Sequence, residues 1–431
     1  MFRIYNALLV LGLLLTSPWW ILQMLRQGKY RAGLLERLGS VPSRLKTPPD
    51  GRKTLWIHAV SVGETVAAAG LIERLQGNER LRVVISTTTQ TGQKLARERF
   101  GAENVFYFPL DLSFSIRRYL DALQPAAVVL LETEFWPNFL HRLSQRGIPV
   151  LTVNARISDR SLPRYLRFGW LFRPVLAGVA CFAAQSKLDA ERLRQIGAPP
   201  ENVTVAGNLK FDAAPPAEGV AIVERLRTAL SGRGPAIVAG STVEGEEPAV
   251  IEAFAKVRQE FPAAVLLLAP RHKERFEEVA RLLEGSGMPF FRRSRLAEET
   301  PISLPSGSVL LLDSLGELAS LYSLGTLAIV GGGFARRGGH NILEPASFGV
   351  ATLSGPHSEN FRDIFTLFVR EKAVAIAPME KMGKALLELL RDEAGRRAMG
   401  ERARQLVLAQ RGATERTARL IEEKLSVEAG R

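Results

Sequence analysis

The chain has 431 residues, 46% of them hydrophobic and 23% charged, with a single cysteine, Cys181. That length indicates two or three domains, two being the natural count, and the composition excludes a disordered chain, a collagen-like repeat and a multi-span transporter. One cysteine excludes an intrachain disulfide and a Cys-based metal site. The five histidines, His58, His141, His272, His340 and His357, have no metal-ligand spacing, so no metal or cofactor is expected.

The formal net charge is +13, and it is unevenly distributed. Residues 1–212 carry 28 basic and 16 acidic side chains, whereas residues 213–431 carry 29 and 28. An excess confined to one half indicates an anionic partner for that half: nucleic acid, a membrane surface or an acidic substrate. A solubility surface is the plainer alternative.

The N-terminus narrows that choice. Ile4 to Leu25 is a run of 22 residues without a charge. As a helix it would extend about 33 Å, enough to cross a hydrocarbon core, with a kink expected at Pro18. No signal-peptidase-like site follows it; Arg26, Lys29, Arg31 and Arg37 follow instead. These cations predict an uncleaved anchor, spanning the bilayer or lying in its interface, with the body on the cytoplasmic side. They should lie at an anionic inner-membrane surface. Nucleic acid is not expected, because no strand-like segment interleaves aromatic with basic residues.

The body then alternates strand-like and helix-like segments. Apolar β-rich runs fall at Thr54–His58, Leu81–Thr87, Asn104–Phe108, Ala126–Leu131, Pro149–Val153, Val179–Ala184 and Val203–Ala206. Helical stretches separate them at Thr65–Leu75, Gly92–Arg99, Ser115–Leu123, Pro137–Arg146 and Lys187–Ile196. After a Pro-containing linker, Ala213–Gly219, the alternation restarts. Its strands are Ala236–Ala239, Ala263–Leu268, Val309–Leu312, Thr326–Val330, Val350–Leu353 and Ala373–Ile376. Its helices are Gly245–Gln259, Lys273–Glu284, Leu315–Ser323, Asn341–Phe348 and Phe361–Val369, with a helical tail over Gly383–Ser426. Near-continuous apolar strands mark parallel sheets covered on both faces. The expected organisation is an anchor with its basic flank at 1–28, a Rossmann-like domain at 29–212 and a second at 213–431, facing a central cleft. Ligands in such sheets bind beyond the carboxyl ends of the strands.

Those strand ends carry unusual sequences: His58-Ala59-Val60-Ser61-Val62-Gly63-Glu64, Glu132-Thr133-Glu134-Phe135-Trp136-Pro137-Asn138, Asn154-Ala155-Arg156-Ile157-Ser158 and Gly207-Asn208-Leu209-Lys210-Phe211-Asp212. The second half adds Gly240-Ser241-Thr242-Val243-Glu244-Gly245-Glu246-Glu247, Ala269-Pro270-Arg271-His272, Leu315-Gly316-Glu317 and a glycine-rich run from Gly331 to Glu344. In this order, behind an apolar N-terminus, the set closely resembles the 3-deoxy-D-manno-octulosonic acid (Kdo) transferases of Gram-negative bacteria. The resemblance covers nearly the whole chain. It implies a GT-B fold, CMP-Kdo as donor, and the lipid A precursor (lipid IVA), on the cytoplasmic face of the inner membrane, as acceptor.

The residues fit that chemistry on their own terms. A sugar leaving as its nucleoside monophosphate needs a base for the acceptor hydroxyl and positive charge for the departing phosphate. Glu64, in a loop-to-helix turn that Gly63 should tighten, is the expected base, although a helix N-terminus should lower its pKa. By resemblance, Glu132 and Lys210 stabilise the transition state; a strand-end salt bridge and a solvated lysine are the plainer alternatives. Glu134 is ambiguous. In the second domain Arg271 suits phosphate, Glu344 suits ribose hydroxyls, and Ser241 offers a hydroxyl. The resemblance adds Pro270, Leu315, Gly316, Glu317, Asn341, Ile342 and Leu343 to the donor-binding set. A nucleotide-sugar epimerase, a transferase for another lipid-linked acceptor and a non-catalytic membrane scaffold remain the alternatives. The epimerase needs no anchor, and the scaffold would gain no thermal protection from CMP.

Overall fold

A computed structural model describes residues 2–27, 32–46, 50–212, 221–296 and 302–427. The linker Ala213–Gly219 and the cations Lys29 and Arg31 lie outside the described residues. The chain forms two compact units, Met1–Ala213 with Gln410–Arg431, and Ala214–Ala409.

The first unit is built on a seven-stranded parallel sheet. Its strands are β1 (Lys53–His58), β2 (Leu81–Thr87), β3 (Val105–Tyr107), β4 (Ala127–Leu131), β5 (Val150–Ala155), β6 (Cys181–Ala184) and β7 (Val203–Val205). Their order is β3-β2-β1-β4-β5-β6-β7, with β1 at the switch of direction. Successive side chains of a strand point to opposite faces, and β1 divides accordingly. Trp56 packs with Phe106, Tyr119 and Phe139 on one face. Leu55 and Ile57 pack with Leu71, Ile72 and Ile85 on the other. Both faces are covered by helices, which is why these strands read as unbroken apolar runs.

The covering of the second face corrects an expectation. The sequence places the whole tail in the second domain, but the helix Ala413–Val427 buries Ala413, Ala418, Ile421 and Leu425 in the Leu55/Ile57 core of the first. The Asp212 carboxylate fixes the return by accepting from the backbone N–H groups of Gly412 (2.7 Å) and Thr414 (2.5 Å). Arg416 Nε donates to the Ala206 carbonyl at 2.8 Å.

The apolar N-terminus is a single helix, Phe2–Gln27, continuous through Pro18. Pro18 has no N–H for the Leu14 carbonyl; the Ser17 hydroxyl donates to that carbonyl at 2.7 Å instead. Its first turns are seated on the body. Phe2 stacks on His141 with ring centroids 3.7 Å apart, and the Tyr5 hydroxyl donates to Asp111 Oδ2 at 2.8 Å. Asn6 and Asn138 exchange amide hydrogen bonds at 2.7 and 3.1 Å. Of the cations expected at a membrane surface, Arg26 is exposed, but Arg37 is not a free surface charge. Its guanidinium lies 4.6 Å over the Tyr107 ring and donates to the Thr88 carbonyl.

The second unit repeats the architecture. Its strands are β8 (Ala236–Thr242), β9 (Val265–Pro270), β10 (Phe290–Arg292), β11 (Val309–Leu311), β12 (Leu327–Val330), β13 (Thr352–Ser354) and β14 (Ala375–Ile376). The order is β10-β11-β9-β8-β12-β13-β14, all parallel. Six of these strands were expected. The seventh, β10, is a three-residue edge strand whose side chains are only half-buried, so its sequence lacks an apolar run.

Candidate active site

In the first unit Glu64 and Glu132 lie at the carboxyl ends of β1 and β4. Ser61 caps the helix Val62–Ala67, and Glu64 sits three residues later, the spacing of a capping box. Glu64 Oε2 accepts from the Val60 N–H at 2.8 Å, and the Ser61 hydroxyl donates to Oε1 at 3.1 Å. The helix N-terminus was expected to lower the Glu64 pKa. The structure reverses this: burial, and then the Glu132 carboxylate, push it up to about 8, outweighing those two hydrogen bonds. Glu134 also raises it. Glu134 is itself raised by burial, despite the hydrogen bond it accepts from Trp136 Nε1 at 3.0 Å. Glu134 therefore belongs to the same carboxylate group, which sequence reasoning left undecided. Gly63 is not the tight turn expected. It lies inside the helix with ordinary φ, and a Cβ there would meet nothing nearer than Ser61 Oγ at 3.9 Å.

Beneath this group, His58 is fully buried and stacked on Phe108 at 4.0 Å, and burial holds its pKa down to about 3. It is neutral, with Nδ1 2.9 Å from Ser86 Oγ.

Lys210 lies on a 3-10 turn, Leu209–Phe211, that is fastened to the ends of β5 and β6. Asn154 Oδ1 accepts from the Leu209 N–H at 3.1 Å, and Asn208 Nδ2 donates to Gln185 Oε1 at 2.9 Å. Asn154 is buried with Nδ2 unpartnered, and it stands in the left-handed region (φ 51°) at a bulge between Val153 and Ala155. Glu132 is also left-handed (φ 57°), immediately after β4.

In the second unit the donor-binding candidates converge on the ends of β8, β9 and β12. Ser241 is left-handed (φ 54°) at a bulge in β8. Pro270 ends β9, and Arg271 follows it, its N–H donating to the Thr242 carbonyl at 2.8 Å. Arg271 lies close enough to Glu344 to lower its pKa, while burial, the larger influence, raises it. Asn341 Nδ2 donates to Glu344 Oε1 at 3.2 Å, and Asn341 Oδ1 accepts from the Leu343 N–H at 3.1 Å. The helix expected over Asn341–Phe348 is only Leu343–Ser347, because Asn341 forms its own turn ahead of it. Ile342 and Leu343 bury their side chains, leaving only their backbone for a ligand.

On the β11 side, Leu315 is exposed and Gly316 has φ 87°. Glu317 is already engaged: Arg293 donates to both of its oxygens at 2.7 and 3.0 Å, and Ser314 donates to it as well.

One organising residue was missed. Glu246 is completely buried, and its carboxylate accepts from four backbone N–H groups: Val243 (3.1 Å), Gly332 (2.8 Å), Phe334 (3.0 Å) and Ala335 (3.0 Å). It ties the glycine-rich loop to the end of β8. Gly331 is required beside it, since a Cβ would stand 2.6 Å from Glu246 Oε2 and 2.5 Å from the Ser241 carbonyl oxygen. Gly332, at φ 76°, lies against the half-buried His340 ring, whose pKa burial holds down to about 4. The only sequence signal was a carboxylate just after an apolar strand, which any surface turn also shows.

Two Rossmann-like sheets, with polar loops concentrated at their strand ends, define a GT-B-type enzyme. Solved structures share this fold: UDP-GlcNAc 2-epimerase from Neisseria meningitidis (TM-score 0.57, 13% identity, 86% of this chain and 99% of that one) and MurG from Acinetobacter baumannii (TM-score 0.55, 16% identity, 86% and 99%). Sequence similarity is more specific. The family model described as 3-Deoxy-D-manno-octulosonic-acid transferase (kdotransferase) matches residues 32–213. A 3-deoxy-D-manno-octulosonic acid transferase of Haemophilus influenzae is 34% identical over 98% of both chains. Its counterpart from Bordetella pertussis is 38% identical over 86% of this chain and 87% of its own. The chain belongs to the Kdo transferase family. It is a glycosyltransferase, and Kdo transfer in lipopolysaccharide synthesis is the function that membership carries.

Proposed function

We propose that this enzyme moves Kdo from CMP-Kdo to lipid IVA at the cytoplasmic face of the inner membrane, without a metal. The observation that carries the proposal is the match to Kdo transferases over nearly the whole chain, joined to a buried Glu64 carboxyl at the β1 strand end, capped by Ser61 and pushed up to about 8 by burial and Glu132. A base is most effective when its pKa lies near the working pH, and Glu64 meets that condition where an ordinary glutamate does not. In the reaction the acceptor hydroxyl loses its proton to Glu64, and its oxygen bonds to the anomeric carbon of Kdo. The bond from that carbon to the CMP phosphate breaks, and CMP departs with the electron pair. Glu132 and Lys210 stabilise the transition state. CMP is already a stable, ionised leaving group, so cationic side chains suffice for its charge. Arg271 takes the phosphate, and Glu344, oriented by Asn341, takes the ribose hydroxyls. Ser241, Pro270, Leu315, Gly316 and the backbone of Ile342 and Leu343 shape the rest. Glu317 acts through its ion pair with Arg293.

The apolar N-terminal helix is the anchor; it is long and apolar enough to cross a membrane, with mean hydropathy 1.7 over Ile4–Met24. Seating of Phe2, Tyr5 and Asn6 on the body supports a helix lying in the interface. A spanning helix would carry those residues to the far side of the bilayer. Incubation with CMP-Kdo and tetra-acylated lipid A precursor, followed by product mass, tests the function. A mass gain of whole Kdo units is expected; an unchanged acceptor would refute it.

A further inference from the structure

Between the N-terminal helix and the body of the first unit lies a groove of about 680 Å3, within the range of about 300–1,000 Å3 typical of ligand sites. One wall is the helix face carrying Leu13, Ser17, Trp20 and Met24, spaced so that all four share one side. The Ser17 hydroxyl is turned back onto the Leu14 carbonyl, so this wall is apolar in effect. Leu34 and Leu110 face it from the body. Leu8, Leu11 and Leu15 stand exposed elsewhere on the same helix. An apolar slot therefore opens beside a helix whose outer surface is itself suited to lipid.

Part of the lining is polar and is hydrogen-bonded to the loop of the expected base. Thr88 and Thr89 line the groove, and both donate their N–H groups to the Val60 carbonyl at 3.1 Å. The Val60 N–H in turn donates to Glu64 at 2.8 Å. Among the described residues Arg37 is the one charged side chain lining the groove, held over the Tyr107 ring. The lining thus combines an apolar helix face, the Arg37 cation and a Thr88–Thr89 segment bonded to the loop that carries Glu64. That combination complements an amphiphile with an acyl tail and an anionic phosphate beside its reacting sugar.

We infer that this groove is an acyl-chain slot for the lipid acceptor, with Arg37 meeting a head-group phosphate and so delivering the acceptor hydroxyl to Glu64. The inference rests on the proposed acceptor. It explains why the helix is docked through Tyr5 and Asn6 rather than left as a free tether: a tether would provide membrane attachment but no wall.

Two variants fill the groove from opposite sides, Ser17→Trp and Leu34→Trp. Each is assayed with CMP-Kdo and two acceptors, the tetra-acylated phosphorylated disaccharide and the same disaccharide fully deacylated. The wild type should prefer the acylated acceptor. Each variant should lower that preference in kcat/KM at least ten-fold, with KM for CMP-Kdo and turnover of the deacylated acceptor within two-fold of wild type. An acylated acceptor with a diazirine near one chain end, photolysed on the wild-type protein, should label residues of the groove walls. This measurement needs no variant to fold and no turnover of the deacylated compound. Labelling confined to other surfaces, or an undiminished acyl preference in both variants, overturns the slot while leaving Kdo transfer intact. Absence of transfer by the wild type to either acceptor overturns the proposed function and the slot with it.

Discussion

Glu64→Gln separates the chemistry of the site from its electrostatics. Gln keeps the shape of the side chain: its carbonyl oxygen can still accept from the Val60 N–H, and its amide can donate to Ser61 Oγ. It removes the proton acceptor, so transfer should fall roughly 10²–10⁴-fold. Stability should move the other way. The Glu64 pKa is raised from an ordinary 4.5 to about 8, so the native state holds this proton more tightly than the unfolded chain does. The favourable contribution is complete below the unfolded pKa and is lost as pH rises through about 8. At 1.36 kcal/mol per unit, burying this group lowers folding stability by about 2 kcal/mol at pH 6, where the native state must take up a proton, and by up to roughly 4–5 kcal/mol above pH 8, where it must hold the charge. Gln, neutral throughout, carries no such cost. The variant should therefore be more stable than wild type, and its advantage should grow by roughly 2–3 kcal/mol between pH 6 and pH 9. For a unit of this size that is about 5–10 °C in Tm.

The same reasoning fixes the rate profile. Wild-type kcat/KM should rise with pH to half its maximum near 8 and level off above it, the limb belonging to ionisation of Glu64. Glu134→Gln removes one of the two neighbouring carboxylates that raise this pKa and should move the limb to lower pH. Thermal scans at both pH values and a rate profile decide the matter. A Glu64→Gln variant whose Tm difference from wild type is the same at pH 6 and pH 9, or a wild-type limb near 4.5, would refute the argument that burial controls this carboxyl.

Arg271→Ala and Glu344→Ala should each weaken CMP binding by about 1–3 kcal/mol, measured by calorimetry; unchanged affinity in both would move the nucleotide elsewhere. Glu246→Ala orphans four buried N–H groups and should cost roughly 3–5 kcal/mol, with loss of thermal protection by CMP. A Tm unchanged in Glu246→Ala would show that the glycine-rich loop holds itself. Truncation after Gln410 uncovers the Leu55/Ile57 face of the first sheet and should leave the first unit aggregated or unfolded; a soluble truncation with native circular dichroism would show the C-terminal helix to be dispensable.

The strands were legible because both sheets are covered on both faces, so burial is written as continuous apolar sequence. Leu55, Trp56 and Ile57 serve two different cores, yet all three are large and apolar. The edge strand Phe290–Arg292 was not legible, since half-buried edges carry no such run. Neither was the allegiance of the C-terminal helix. Ala418, Ile421 and Leu425 declare an apolar face, but nothing local states which sheet it covers. That information lies in Asp212, some two hundred residues earlier, whose carboxylate receives Gly412 and Thr414. The Glu64 pKa failed for the same reason. A helix N-terminus is visible in four residues of sequence, whereas the desolvation and the Glu132 charge that overrule it exist only after folding.

What the folded chain adds at the site is backbone conformation as well as proximity. Glu132, Asn154 and Ser241 are non-glycine residues in the left-handed region, and each stands at the carboxyl end of a strand within one of the loops singled out by sequence. Such a conformation is costly for a residue with a Cβ, by roughly 1 kcal/mol or more, and glycine would remove the cost. A turn needed only for chain reversal would be expected to use glycine, as Gly316 and Gly332 do in neighbouring loops. Side chains retained in spite of that strain are better explained by what they carry. Asn154 carries the acceptor that holds the Lys210 turn, and Glu132 carries the charge that raises Glu64. Ser241 holds its strained backbone at a bulge in β8, where the strand meets the loop before Glu246.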